Sequence, residues 1–251
     1  ADPSPEPAML SFYLFDPVTA HPLFLIATLV GFGLSMLAQM RVKSTFRRFA
    51  NVGVRSGMTG AEAAAAVCRA GGVSGVTIER SKGFLSDHYD PRAKALRLSP
   101  DVHDGRSISS ISVAAHEAGH AIQDATDYAP LGFRSAMVPV TQVGSSAWYF
   151  VFLIGVFLQY SESFLGPFLM QIGVGLFALV VAFQVMTLPV EVDASRRAKA
   201  VLASTGIVST EEEAAGVKKV LDAAAMTYFA AAAASILQLL ALLARVSSSN
   251  R

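Results

Sequence analysis

Residues 116–120 read His116-Glu117-Ala118-Gly119-His120, and this pentapeptide carries the most legible chemistry in the chain. On a helix the two histidines project from one face, so both imidazoles can reach one metal ion. Glu117 stands beside the first of them, where its carboxylate can take a proton from a water that the metal has acidified. The set suits hydrolysis assisted by zinc. With 5 His in 251 residues, a His-Glu-x-x-His string arises by chance in about 0.4 % of such sequences. The competing explanation is a helix whose histidines merely cap or hydrogen-bond. Residues 106–124 are helix-compatible throughout, with Ser107 as N-cap and no Pro. Gly119 costs about 1 kcal/mol against Ala in a helix interior. A position without a side chain between two ligands lets a substrate strand or another helix approach closely, which is a reason to tolerate that cost.

The elements that must hold this turn are mostly apolar. The chain is 53% hydrophobic and only 16% charged, with mean hydropathy +0.47, where a soluble domain carries about 25% charged residues. Four charge-free windows, 17–40, 135–161, 164–190 and 223–244, reach the roughly 20 residues a bilayer crossing needs. The second begins with Pro139, Thr141, Gln142, Ser145 and Ser146, which moves its membrane part to 143–159. Only a few residues around Glu162 separate it from the third, so the two form a tight hairpin.

The expected order is therefore an extracytoplasmic segment 1–16, spans at 17–40, 143–159, 164–188 and 223–244, cytoplasmic stretches 41–134 and 189–222, and a tail 245–251. Of the 20 Lys and Arg, 18 lie in those two stretches. The positive-inside rule then puts both in the cytoplasm and both termini outside. Ala1–Pro7 is Pro-rich and acidic, and Met9 could be the genetic start, so this segment reads as disordered or as left over from expression. The first span lacks a basic leader and a cleavage site, which favours a retained anchor. A net charge of +1 gives no sign of a nucleic-acid partner. Cys68 is alone, so neither an internal disulfide nor a thiolate zinc site is available.

Between the spans, 41–49 is basic and amphipathic and continues the first helix. Thr59 with Glu62 forms a capping box for an Ala-rich helix that Gly71-Gly72 ends. Strands are expected at 76–79, 84–89 and 95–99, the last two joined by Asp90-Pro91-Arg92, with the histidine helix directly after them. Pro189 fits the first turn of a new helix over 191–204, closed by Gly206. Thr210 and Glu213 cap a last helix that runs into the fourth span. The fold class is a mainly α integral membrane protein with four transmembrane helices and a small α+β cytoplasmic unit of about 95 residues, marginal as a core by itself. Gly173 and Gly175 permit close helix packing in the third span without fixing an oligomeric state.

Catalytic zinc usually takes three protein ligands and leaves a fourth position to water. His116 and His120 make two. For the third, residues alone leave His88, His103, Glu191 and Asp193 open, while His21 falls on the other side of the membrane. For Glu191 the competing role is an acidic residue complementing a helix N-terminus, worth about 0.3–1 kcal/mol.

Several separate motifs occur in one order: 41–46 (Arg-Val-Lys-Ser-Thr-Phe), 59–62 (Thr-Gly-Ala-Glu), 87–92 (Asp-His-Tyr-Asp-Pro-Arg), 98–102 (Leu-Ser-Pro-Asp-Val), 116–120, and Leu188-Pro189-Val190-Glu191 continuing to Arg197. Through them the chain, from Leu14 to Leu243, resembles the YugP-type bacterial membrane zinc metallopeptidases. That family is similar in turn to the HtpX-type and CAAX-prenyl-type membrane proteases, in which a Glu opening a Glu-x-x-Ala-Asp-Arg helix is the third ligand. Glu191-Val192-Asp193-Ala194-Ser195-Arg196 fits with Ser195 in place of the Asp, so Asp193 or Arg196 is left to fill that supporting role.

The resemblance implies one catalytic Zn²⁺ on His116, His120 and Glu191, with Glu117 as general base. His88, Tyr89 and Arg196 are candidate oxyanion donors, each with a turn or surface hydrogen bond as its plainer role. It implies a peptide or protein substrate, membrane proteins among the candidates, and a multi-pass protein of the bacterial inner membrane. Two other readings are an intramembrane site-2-type protease and a non-enzymatic membrane scaffold with structural zinc. The charged ends and short apolar run of the motif helix weigh against the first, and an open fourth position would weigh against the second.

Overall fold

The computed structural model describes residues 22–83 and 86–249. The expectations for 1–16, for the start of the first span and for His21 lie outside them, as do Phe84 and Leu85 of the expected second strand. In chain order the elements are α1 (Pro22–Ala50), α2 (Gly60–Ala70), β1 (Thr77–Arg80), β2 (His88–Asp90), β3 (Ala95–Leu98), α3 (Pro100–His103), α4 (Ile108–Ala125), α5 (Ala129–Tyr160), α6 (Leu165–Ser204) and α7 (Glu211–Ser249). The protein is mainly helical with a small three-stranded sheet, and α1, α5, α6 and α7 are each long and apolar enough to cross a membrane. The chain forms two compact units. Among the described residues, one gathers 22–36, 136–185 and 230–249; the other gathers those of 37–135 and 186–229.

The first unit is an apolar helix bundle. Phe152, Val156, Met170, Val174, Phe177 and Leu242 form its buried centre. A Cβ added at Gly173 would lie 2.7 Å from Phe152 Cβ, so α5 and α6 meet nearly backbone to backbone, whereas at Gly175 it would meet nothing within 4 Å. The expected tight hairpin follows Tyr160. Ser161 and Ser163 both donate their N–H to the Leu158 carbonyl, and Glu162 takes φ +53°.

The second unit is α+β. Both halves of the Thr59–Glu62 capping box are made, and Ala63, Ala64, Val67 and Cys68 of α2 are buried in the core with Ile111, Ala115 and Ala118 of α4. Burial pushes the Cys68 thiol up to about 11, consistent with a packing role. The sheet order is β1-β3-β2. β3 lies in the middle, antiparallel to β2 (Tyr89 opposite Leu96) and parallel to β1 (Ile78 opposite Leu96). A short helix, α3, stands between β3 and the histidine helix, where the sequence suggests direct succession; Pro100 sits at its start, where a missing N–H costs nothing. Ser107 caps α4 as expected, its Oγ accepting from the Ser110 N–H. Ser109 donates to the Phe46 carbonyl of α1 at 2.8 Å. Of the 18 residues of α4, 14 are buried, and its many Ala, Ser and Gly positions admit close neighbours.

Pro189 corrects one expectation. No new helix starts there; it lies inside the 40-residue α6. Proline removes one ladder hydrogen bond, but Val190, Ala194, Ala198 and Leu202 form a fully buried stripe at four-residue spacing that carries the helix through. Glu191 is therefore a mid-helix residue, and there is no helix N-terminus at Glu191 for its charge to complement.

Candidate metal centre

The i, i+4 spacing on α4 sets the His116 and His120 rings 4.8 Å apart, edge to face. Glu191 comes from α6, itself 2% exposed. One ligand atom from each of the three lies within 4.8 Å of the others. Glu191 Oε2 is 3.1 Å from His116 Nε2 and 3.6 Å from His120 Nε2. Gly119 makes this approach possible, since a Cβ there would lie 2.5 Å from the Ala194 carbonyl of α6.

The other ring nitrogens are already engaged. Gln123, fully buried, donates its Nε2 to the Val190 carbonyl at 2.8 Å and to Asp193 Oδ2 at 2.9 Å. Its Oε1 must then accept from His120 Nδ1–H, 3.0 Å away, which leaves a lone pair on His120 Nε2. Asp193 is in turn gripped by Arg196 and Arg197. His116 Nδ1 pairs with Ser195 Oγ at 3.1 Å. Two imidazole nitrogens and a carboxylate oxygen, with both rings oriented from behind, fit a zinc ion of the His₂Glu type.

Glu191 Oε1 faces Arg134 Nη1 at 3.3 Å, and Tyr228 lies within reach of the Glu191 and Glu117 charges. Burial pulls His120 down, but the carboxylates of Glu191 and Glu117 beside it outweigh that and leave it above the usual imidazole range. Glu117 is 8% exposed. It is near enough to Asp87 to add to the rise that burial imposes on that carboxyl, against the hydrogen bonds from Ser99.

A family model described as "Putative neutral zinc metallopeptidase" matches residues 24–247, which include every residue of this cluster. The chain belongs to this family. It is also 44% identical over 218 residues to "Putative membrane protease YugP" of Bacillus subtilis (strain 168), covering 87% of this chain and 94% of that relative. No solved structure matches.

Within this zinc metallopeptidase, the remaining sequence candidates fall in different places. Asp193 backs His120 through Gln123, and among the described residues Arg196 reaches the cluster through Asp193. Tyr89 donates to Asp124 at 2.6 Å, and His88 is exposed with Nδ1 2.9 Å from the Ser86 carbonyl. Neither has a hydrogen bond to His116, His120 or Glu191 among the described residues, and His103 pairs with Asp104. Gln123, Arg134 and Tyr228 were not singled out from sequence. Gln123 had one signal, a polar residue three places after a candidate ligand on the same helix face. Arg134 and Tyr228 had none.

Proposed function

We propose that the chain is a membrane-embedded zinc endopeptidase that hydrolyses peptide bonds at the cytoplasmic face of the bacterial cell membrane. The observation that carries this reading is the convergence of His116, His120 and Glu191, with both imidazole Nδ1 atoms already bonded elsewhere and both Nε2 atoms turned to Glu191 Oε2. In the proposed assignment these three hold the metal. Three protein ligands are the number of a catalytic rather than a structural zinc. Zinc supplies Lewis acidity there, making a water acidic near neutral pH and polarising a carbonyl.

Glu117 is the general base: its carboxylate takes a proton from the attacking water and returns it to the leaving amine nitrogen. Gln123 and Ser195 hold the two rings in the tautomer and orientation that binding needs. β2 is an edge strand of the sheet, and an extended peptide pairing with it would be bound by backbone more than by side chains. Such binding suits loosely specific cleavage of proteins, membrane proteins among them. The cytoplasmic placement rests on the basic residues that follow α1's apolar run and follow Glu191 on α6. The motif helix α4 is not one of the four membrane-length helices, which favours a site at the membrane face over one inside a span.

Glu117→Gln tests the core of this. Zinc by elemental analysis should stay near one ion per chain, while cleavage of an unfolded soluble protein falls by about 10²–10⁴. Undiminished cleavage with zinc present would remove Glu117 as base. Failure of the zinc-loaded wild type to cut any unfolded soluble protein would remove the membrane-face site.

A further inference from the structure

A pocket of about 770 Å³ opens in the α+β unit among α1, α6 and α7; its lining includes Ser195, the partner of His116, but none of His116, His120 and Glu191. Each helix turns one stripe to it. On α1 the stripe is Arg41, Ser44 or Thr45, and Arg48, at the spacing of one face. On α6 it is Val192, Ser195 and Lys199, and on α7 it runs from Lys219 through Asp222 to Met226 and Phe229. Four cations therefore face one carboxylate. That carboxylate is taken: Asp222 pairs with Lys218 and lies 4.0 Å from Lys199. Arg41, Arg48 and Lys219 have no carboxylate partner among the described residues.

The pocket also has a polarity. The first helix enters it at Arg41, immediately after its apolar run. Val192, Met226 and Phe229, each close to half exposed, border the apolar runs of α6 and α7. Cations without a carboxylate partner, one of them (Arg48) over the Phe49 ring, beside exposed apolar side chains at the level where three membrane-length helices turn polar, match a ligand with a phosphate at one end and hydrocarbon at the other. We propose that this pocket binds an anionic phospholipid, its headgroup phosphate held by Arg41, Arg48 and Lys219 and its upper chain lying on Val192, Met226 and Phe229. The proposal requires the membrane reading but not the zinc chemistry, so Glu117→Gln should bind the lipid as the wild type does.

The test is native mass spectrometry of the full chain released from detergent, with phosphatidylglycerol or phosphatidylcholine added in turn. Wild type should retain phosphatidylglycerol about tenfold better than phosphatidylcholine. Arg41→Gln with Arg48→Gln should lose about tenfold of that retention, and Lys219→Gln, on a different helix, a smaller part of it. Lys43→Gln with Arg47→Gln removes the same charge from the same helix outside the pocket, and should change retention by less than about twofold. Because Lys219→Gln reads the pocket from a second helix, a folding defect in the α1 double variant leaves the test intact. Equal losses in the two α1 doubles would overturn the proposal by showing general attraction to the basic surface. So would equal retention of the two lipids, or displacement of phosphatidylglycerol by millimolar inorganic phosphate, which would mark a site for free phosphate.

Discussion

The two units bury polar atoms in opposite ways. In the α+β unit, Ser99, Ser109, Glu117, His120, Gln123, Glu191, Asp193 and Ser195 are all buried, and most are tied into named hydrogen bonds. In the helix bundle Thr141 is the buried polar residue, and its Oγ1, with Gln159 Oε1, has no hydrogen-bond partner among the described residues. The outer surfaces differ too. Phe32, Val143, Phe157 and Phe164 of the bundle are 65–84% exposed, a surface that suits hydrocarbon. The bundle is held by shape, since lipid tails are as apolar as its side chains. The α+β unit is held by shape and by a polar network with little tolerance for a missing partner.

Removing one residue from each centre should separate the two kinds of stability. Glu191→Ala takes a carboxylate from between two imidazoles and leaves Arg134 facing them. Zinc content should fall from about one ion per chain toward none, and hydrolysis by ~10³ or more. Phe152→Ala opens a cavity in the bundle and should cost about 2–3 kcal/mol of stability. Its folded fraction should keep both zinc and activity per folded molecule. Zinc loss in Phe152→Ala, or full zinc in Glu191→Ala, would erase the distinction.

The same contrast explains how much could be read from the sequence. The four spans are legible because about 20 apolar residues in a row have few other meanings. His116, Glu117 and His120 are legible because a four-residue spacing fixes a shared helix face whatever the tertiary structure does. Glu191 needs the family resemblance, since no local pattern joins residues 75 apart. Gln123 and Ser195 matter through partners on another helix, and a single amide or hydroxyl leaves no periodic trace. Pro189 misleads because local propensity points to a boundary that the buried stripe following it, from Val190 to Leu202, overrides. The parallel pairing of β1 with β3 is a long-range contact that neither strand announces.

A second pair concerns buried polar atoms directly. Gln123→Leu keeps the volume roughly but strips Asp193 and His120 Nδ1 of their shared partner. Competition against a zinc chelator should show affinity reduced about 10–100-fold. Thr141→Val removes a hydroxyl that bonds nothing among the described residues, and thermal unfolding should be unchanged or slightly later. A costly Thr141→Val together with a silent Gln123→Leu would invert the comparison.

Glycines sharpen it further. A methyl at Gly119 meets the Ala194 carbonyl at 2.5 Å, and one at Gly173 meets the Phe152 backbone nitrogen at 2.9 Å. Each of these alanines should destabilise by about 1–3 kcal/mol through overpacking, beyond the gain in helix propensity. Gly119→Ala should in addition weaken zinc binding, because the displaced backbone is the one that carries Glu191. Gly175→Ala, with open space around it, should leave stability unchanged or raise it by up to about 1 kcal/mol in the same unfolding measurement.

The smallest effect belongs to the exposed edge of the α+β unit. A hydrogen bond from Arg97 holds Asp90 down at about 2, assisted by the Ala93 and Arg92 N–H groups of the turn. A depressed carboxyl adds stability that is fully present above its unfolded value of about 3.9 and is lost as pH falls through the folded one. Asp90→Asn can still accept from both turn N–H groups but cannot carry the charge. In the metal-free chain, wild type should therefore melt slightly above Asp90→Asn at neutral pH, with the two curves converging between about pH 4 and 2. Added salt should shrink the gap at neutral pH, because the pair is open to solvent. A gap that persists at pH 2, or ignores salt, would assign the residue's effect to turn geometry and not to its charge.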